Sequence, residues 1–583
     1  MSRAIPRAFL LSLLVIPAAV QAQEPAPVVR PRAIVRPALP FALDPAAAFA
    51  DQVIVKFVEG RAVRLRDGVF QGLGADERRA LAGLLGDAKV QRLFTRTEDD
   101  LDAERAALQP RLPAGEAPLA DLNIYYRVTT SGAAATEALV NGLLALPCIE
   151  TAYAEPRPVP LGDIPPTTPL FESGQTYLGD APAGYAYLRF ASIVGMRAPT
   201  QTIAQLEGSW HFGHEDVDGL VTSSVIGVVP GSGYDGWRDH GTACVGILAA
   251  GRNAYGTRGL ANKPKALRLS SLANGSANMI SLVTAQLQAG DVMTSSYAFA
   301  GGNVHYPLDF YQADFDAVRA AANKGICYAF GAGNTNQSLD NTSIYGSRYL
   351  PASASSGGFI IGASDAGTTN RAGFSNYGTR IDANGWGSQV TTIGYGDLFN
   401  PNDVRQHYTS NFGGTSAAGP AVAAVIASWI GAVREQNGVT LTVEQVRTAL
   451  RTTGTPVNSN VGTRPDLERL LAMQSLPDGL LVTQDGAPGG AFTYEVRGNP
   501  GEQYAAVLSA ARARVALGVN RPLLVDPATL LLLGQGTLPA AGVRSVTVPI
   551  PNDPSLKDLD VYLQAAFVRG GLHLSNSAEL WVK

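Results

Sequence analysis

Three short stretches hold residue types that can do chemistry together. In NFGGTSAAGPAVAAVIASWIGAV, Ser416 stands among glycines and small residues at the start of an apolar run. A serine at a helix start often serves only as a cap. Here the small neighbours leave room for a substrate backbone, and a helix N-terminus favours the negative charge of a tetrahedral intermediate. In RDHGTACVGILAA, His240 sits where a loop becomes a helix, a place suited to proton transfer. In ICYAFGAGNTNQ an apolar strand ends in Gly331-Ala332-Gly333-Asn334. The Asn334 amide there either closes a turn or faces an oxyanion. A serine, a histidine and an amide donor are the set needed for attack on a carbonyl carbon.

A fourth stretch, QLEGSWHFGHED from Gln205 to Asp216, concentrates His211 and His214 with Glu207, Glu215 and Asp216. Paired metal ligands on a helix need spacing such as H-E-x-x-H. Here the two histidines enclose a glycine, so the stretch predicts no metal site, and His214 reads as a residue that stabilises the loop.

These residues need elements to hold them. From Gln201 to Leu471 apolar strands (TIAQLE, DVMTSS, ICYAFGAGN, FIIGASD) alternate with helical patterns. That alternation predicts a parallel sheet covered by helices. TVEQVRTALRTTG reads as a late helix with Thr442 and Gln445 as a capping box and Gly454 at its stop. Before this region, VIVKFVEG, NIYYRVTT and IETAYAEP read as strands and GADERRALAGLL and AATEALVNGLLAL as helices, a small α+β unit. PRPVPLGDIPPTTPLF follows as an extended linker. After LPDGLLV, short strands separated by Gly, Pro, Asn and Asp predict an all-β sandwich. The expected organisation is a signal peptide over 1–22, a flexible lead-in over 23–49, the α+β unit over 50–158, a linker and extension over 159–200, the α/β domain over 201–473 and the β sandwich over 476–583.

Together the motifs resemble those of the subtilisin-like (S8, subtilase) serine peptidases. HGTACVG is similar to the family's histidine motif, GAGN to its oxyanion-hole motif and GGTSAAGPAVAA to its nucleophile motif, with FSNYGTRIDANGWG between the last two. The resemblance runs from Gln175 to Leu471 in the family's order. An α/β-hydrolase would place serine before histidine and needs G-x-S-x-G; here only His573 follows Ser416, and GTSAA lacks the second glycine.

The resemblance implies a secreted serine endopeptidase made as a zymogen, acting on protein or peptide substrates. Ser416 would be the nucleophile, His240 the base and Asn334 an oxyanion donor. The family's acid ends the first strand, seven residues before an H-P-D-L-like motif. HED at His214 resembles that motif, and the count back lands on Glu207, a glutamate where the family has aspartate. A branch of the family reads D-x-E-x-x-W, and its aspartate position is Gln205 here, which carries no charge. Asp239 and Asp235 are weaker candidates, and a degraded triad is the remaining alternative. DVMTSSYAFAGG aligns with the strand that lines the primary specificity pocket, which would make Ser296, Tyr297 and Ala298 its lining. The 50–158 unit resembles the family's propeptide, an intramolecular inhibitor. No cofactor is required; family members often carry structural calcium, but no D-x-D-x-D-G run supports it here.

Bulk properties agree with an exported globular chain. Of 583 residues, 46% are hydrophobic and 16% charged, with a net charge of −4 and no basic stripe, which argues against nucleic acid as a partner. MSRAIPRAFLLSLLVIPAAVQAQEP reads as a secretory signal, so an extracellular or periplasmic location is expected. No later run is long and apolar enough to predict a membrane span. Cys148, Cys244 and Cys327 read as buried thiols, with a Cys244–Cys327 pair as the alternative. The rival functional reading is a subtilase scaffold with a degraded site, acting as a secreted binding protein.

Overall fold

The computed structural model describes residues 34, 36–45, 48–111, 118–156 and 167–583. The signal peptide expected over 1–22 and the first part of the linker lie outside them. The chain forms two compact units, Met1–Pro160 and Leu161–Lys583.

In the first unit a four-stranded antiparallel sheet has the order Lys89–Arg92, Tyr125–Thr129, Ala48–Phe57, Ile149–Pro156. Strand Ile149–Pro156 is therefore an edge. Helices Ala75–Leu85, Glu98–Leu108 and Ala133–Leu144 accompany the sheet. Val53, Val55 and Phe57 share the core with Tyr126, Val128, Leu139 and Leu143. The helix Glu98–Leu108, capped by Thr97, is not legible as an amphipathic run because all but two of its residues, Leu101 and Leu108, are charged or alanine. Its first turn is instead acidic, which suits the helix dipole.

The second unit is built on an eight-stranded sheet. From one edge it runs Ala266–Ser271, Thr202–Glu207, Val292–Ser295, Cys327–Gly331, Phe359–Ser364, Ala383–Trp386, Thr463–Arg464 and Thr455–Pro456. All neighbours pair in parallel except the last two strands. The central strands are buried on both faces, which is why they read as continuous apolar runs rather than alternating ones. Helices Arg238–Ala249 and Thr415–Asn437 belong to the core on one face; helices Ser276–Gln286 and Gln312–Asn323 belong to the core on the other. Thr442 and Gln445 form the capping box of helix Val443–Thr453, with Gly454 at its C-cap.

Strand order reverses beside Thr202–Glu207: the chain goes next to Ala266–Ser271 on one side, then to Val292–Ser295 on the other. The carboxyl ends of strands at such a reversal border a crevice. Glu207, Ser295 and Gly331 end three adjacent strands there, so Glu207, Ser296 and Asn334 all leave the sheet on one side.

Helix Thr415–Asn437 runs through the middle of this unit. It is long and apolar enough to cross a membrane, yet 94% of that apolar window is buried inside the protein, as in a core helix. Its Val422, Val425, Ile426, Trp429 and Ile430 are fully buried, each contributing about 1.5–3 kcal/mol. Gly385 lets it approach the sheet: a methyl group there would stand 2.8 Å from Cα of Ala418.

The C-terminal strands form a three-stranded sheet, Leu480–Gln484, Ala491–Arg497 and Val543–Pro549, and a four-stranded one, Leu531–Thr537, Gln503–Ser509, Asp560–Val568 and Leu572–Trp581. Phe492 and Tyr494 of the first share a core with Tyr504, Leu563 and Phe567 of the second. This region belongs to the same compact unit as the parallel sheet. The Val194 N–H donates to the Ser577 carbonyl at 3.2 Å, and the buried Gln436 amide accepts from the Ser577 N–H at 2.9 Å.

Candidate active site

Ser416 is the second residue of its helix. Gly414 precedes the helix with φ +79, a conformation that favours glycine. Pro420 lies four residues after Ser416 and has no N–H, so the Ser416 carbonyl is released from the helical ladder. Ser296 Oγ takes it up at 3.0 Å, and the Cys244 thiol approaches it at 3.5 Å. In return Ser416 Oγ donates to the Ser296 carbonyl at 3.2 Å. The hydroxyl therefore rests against the strand end, beside the histidine helix.

His240 lies in the first turn of helix Arg238–Ala249, between two rings. Trp237 stands edge-on with centroids 5.8 Å apart, and Phe412 with centroids 5.6 Å apart. Its Nδ1 is 3.3 Å from Oε2 of Glu207, whose side chain is fully buried. The two atoms are within ion-pair reach but off the line of a good hydrogen bond, and among the described residues Nδ1 has no other partner. Burial alone would depress the imidazole pKa; the Glu207 charge overcomes this and holds it above the ordinary histidine value. Gly241 makes the approach possible, because a methyl group there would collide with the Ser209 carbonyl and stand 3.0 Å from Cγ of Glu207.

Glu207 has its own supports. Oε1 accepts from the Gly208 N–H at 3.1 Å, and Oε2 from Gln205 Nε2 at 3.3 Å. Gln205 Oε1 accepts in turn from Trp210 Nε1 at 2.6 Å. Sequence reasoning set Gln205 aside for its lack of charge; the structure places it as the buried amide that orients Glu207. The signal was present in the two-residue spacing, which puts both side chains on one face of a strand.

The other acids point elsewhere. Asp239 Oδ1 pairs with His211 Nε2 at 3.1 Å, and this bond lowers the Asp239 pKa. Asp235 pairs with Arg238 at 2.7 Å. His214 bonds the His407 carbonyl through Nε2 at 3.0 Å, and burial pushes its pKa down to about 4. The neutral ring holds the loop.

Asn334 follows the strand Cys327–Gly331. Its Oδ1 accepts from both the N–H and the hydroxyl of Thr415 at 2.9 Å each. With the oxygen end committed, the NH2 end is the donor left for a ligand. Buried Asn376 braces this loop: its Nδ2 donates to the Ala332 carbonyl at 2.9 Å, and its Oδ1 accepts from the Thr335 N–H at 3.2 Å. Asn376 lies in the FSNYGT stretch, where nothing in the local sequence signals this bracing role.

Ser296 faces Ser416, and Ala298 is half-buried. Tyr297 differs from expectation. Its ring is in the core on the sheet face opposite the Ser416 helix, and its hydroxyl meets Ser276 Oγ at 2.7 Å. Side chains alternate along an extended segment, which turns Tyr297 away when Ser296 faces the serine. All three cysteines are free buried thiols. Glu207, His240 and Cys244 offer donor atoms within 4.8 Å of one another, a set that could hold a metal. Burial keeps the Cys244 thiol protonated by raising its pKa, which opposes ligation.

Comparison with known proteins agrees with this architecture. The sequence model of the subtilase family matches residues 221–472. That span includes His240, Asn334 and Ser416 and begins after Glu207. The chain is 32% identical to a calcium-dependent protease of Trichormus variabilis over 32% of either chain. It is 31% identical to the subtilisin-like serine protease Rho m 2.0101 of Rhodotorula mucilaginosa, over 33% of this chain and 51% of that one. It is 33% identical to cerevisin of Saccharomyces cerevisiae, over 32% of this chain and 27% of that one. The chain thus spans about half or less of the length of these relatives. Residues 221–472, which carry His240, Asn334 and Ser416, are thus similar to the subtilase family.

Proposed function

We propose that this protein is a serine endopeptidase that hydrolyses peptide bonds in protein or peptide substrates. The observation that carries the reading is the convergence of Ser416, Asn334 and the Glu207–His240 pair, which comes from two strand ends and two helix starts. In the proposed cycle Ser416 Oγ attacks the substrate carbonyl carbon while His240 accepts its proton. The oxyanion draws on the Asn334 amide and the Ser416 N–H at the helix start. His240 then protonates the leaving amine, and water repeats the sequence to release the acid. Glu207 stabilises the imidazolium and fixes its tautomer, with Gln205 holding the carboxylate.

The same reading makes residues 50–158 a propeptide that inhibits the site until the linker is cut, and makes the protein an exported zymogen. Ser296, Ala298 and the main chain around them would receive the substrate strand. The proposed cycle requires no cofactor. One relative is named a calcium-dependent protease, so a structural calcium is the ion this reading admits; a fall in Tm on chelation would reveal it.

Fluorophosphonate labelling of the folded, processed protein, read by mass spectrometry, tests the proposal. A single adduct on Ser416, lost in His240→Ala, is the expected result. Folded protein with no adduct would favour the scaffold reading.

A further inference from the structure

The segment that leads away from Ser296 turns back as a hairpin, Phe299–Gly301 with Val304–Tyr306, in which His305 pairs with Ala300. This brings His305 to the loop that carries Asn334. His305 Nδ1 lies 3.2 Å from the backbone nitrogen of Asn334. An amide N–H can only donate, so Nδ1 is the acceptor and the ring is neutral with its proton on Nε2. The His305 main chain is fixed on both sides: its N–H donates to Thr335 Oγ1 at 3.0 Å, and its carbonyl accepts from Tyr345 at 3.0 Å and from Asn376 Nδ2 at 3.1 Å. The side chain also sets how close the loop comes. Gly333 has φ +102, and a methyl group on it would stand 2.7 Å from Cβ of His305.

Asn334 is thus held at both ends. Thr415 fixes its side-chain oxygen, and His305 fixes its backbone nitrogen. The amide hydrogens aimed at the oxyanion have their direction set by these two anchors. We infer that His305 is a positioning residue of the oxyanion hole, acting through Asn334. The inference rests on the peptidase reading and adds to it a residue outside the triad. A donor that is misplaced by a fraction of an ångström stabilises the ground state almost as before and the transition state much less, so the effect falls on kcat.

The test compares the full chain, after any processing it performs, with His305→Leu, His305→Asn, Asn334→Ala and the double variant His305→Leu/Asn334→Ala, on a chromogenic peptide substrate. His305→Leu removes the acceptor at similar size, and His305→Asn keeps an acceptor oxygen near the Nδ1 position. The expected result is a loss in kcat of about ten- to a hundredfold for His305→Leu with KM unchanged. His305→Asn should recover most of it, and the double variant should be no slower than Asn334→Ala alone. Losses that multiply in the double variant, a KM that rises as kcat falls, or a fully active His305→Leu protein would overturn the inference while leaving the peptidase reading intact. Folded unsubstituted protein with no hydrolysis would overturn both. Thermal melts of each variant separate a lost fold from a lost rate, and His305→Asn still decides the matter if His305→Leu does not fold.

Discussion

Nδ1 of His240 and Oε2 of Glu207 stand 3.3 Å apart, with the carboxylate fully buried and the imidazole partly exposed. A glutamate at the end of the first strand reaches the histidine because Gly241 and Gly208 let the helix and the loop close over it. The contact is slightly long and off the line of a good hydrogen bond.

Glu207→Gln should lower kcat by roughly two to four orders of magnitude, since the amide can present the wrong group to Nδ1 and cannot balance an imidazolium. Steady-state kinetics on a peptide substrate, with a melt to confirm folding, would check it. A variant within twofold of the parent would remove Glu207 from the triad.

The pH dependence follows from the same pair. The base must be neutral, and the Glu207 charge holds the His240 pKa above the ordinary value, so activity should rise with pH through that raised value. In Glu207→Gln the charge is gone while burial remains, so the midpoint of the acid limb of kcat/KM should move to lower pH. An unmoved midpoint would show that the limb belongs to another group.

Gln205→Leu should cut kcat about tenfold without unfolding the protein. It removes a donor from Glu207 and the acceptor of Trp210 Nε1, and a buried N–H left unsatisfied costs about 1–3 kcal/mol. Full activity together with an unchanged Tm would refute the orienting role.

Far from the site, buried Asp382 accepts from Arg380, Arg447 and Arg451, each at 2.6 Å. Burial opposes its ionisation, but the three guanidinium groups push the pKa down to about 2. Asp382→Asn should destabilise the protein by about 3–5 kcal/mol by stranding buried cations. A depressed carboxyl contributes stability above the ordinary aspartate pKa and loses it as pH falls through the folded-state value. The Tm gap between parent and variant should therefore be widest above about pH 4 and narrow toward pH 2. A constant gap would mean that packing, not charge, supplies the difference.

Removing residues 476–583 should leave a protein that is insoluble or melts at markedly lower temperature. The end of the Ser416 helix would lose the Gln436–Ser577 bonds, and Ser192 would lose its contacts to Val482 and Glu579. A soluble 1–475 chain with the parent's Tm would show that the β region is separable.

The amino-acid sequence by itself determined the local elements and their chemistry. Apolar runs between glycine-rich ends specify buried parallel strands, small residues around Ser416 specify a closely packed helix, and the order of the motifs resembles that of the subtilases. His240, Asn334 and Ser416 were legible as candidates from the strand end and helix starts beside them, and Glu207 from its spacing before His214 in the pattern the chain resembles. Tertiary structure alone decided which atoms meet. Tyr297 turning into the opposite core, Ser296 taking the carbonyl released by Pro420, and His305 reaching Asn334 all depend on the order of strands in the sheet and the return path of a hairpin. Periodicity and capping act over a few residues along the chain. Hydrogen bonds between side chains tens or hundreds of residues apart have no such local signature, and they exist only once the sheet has brought its strand ends together.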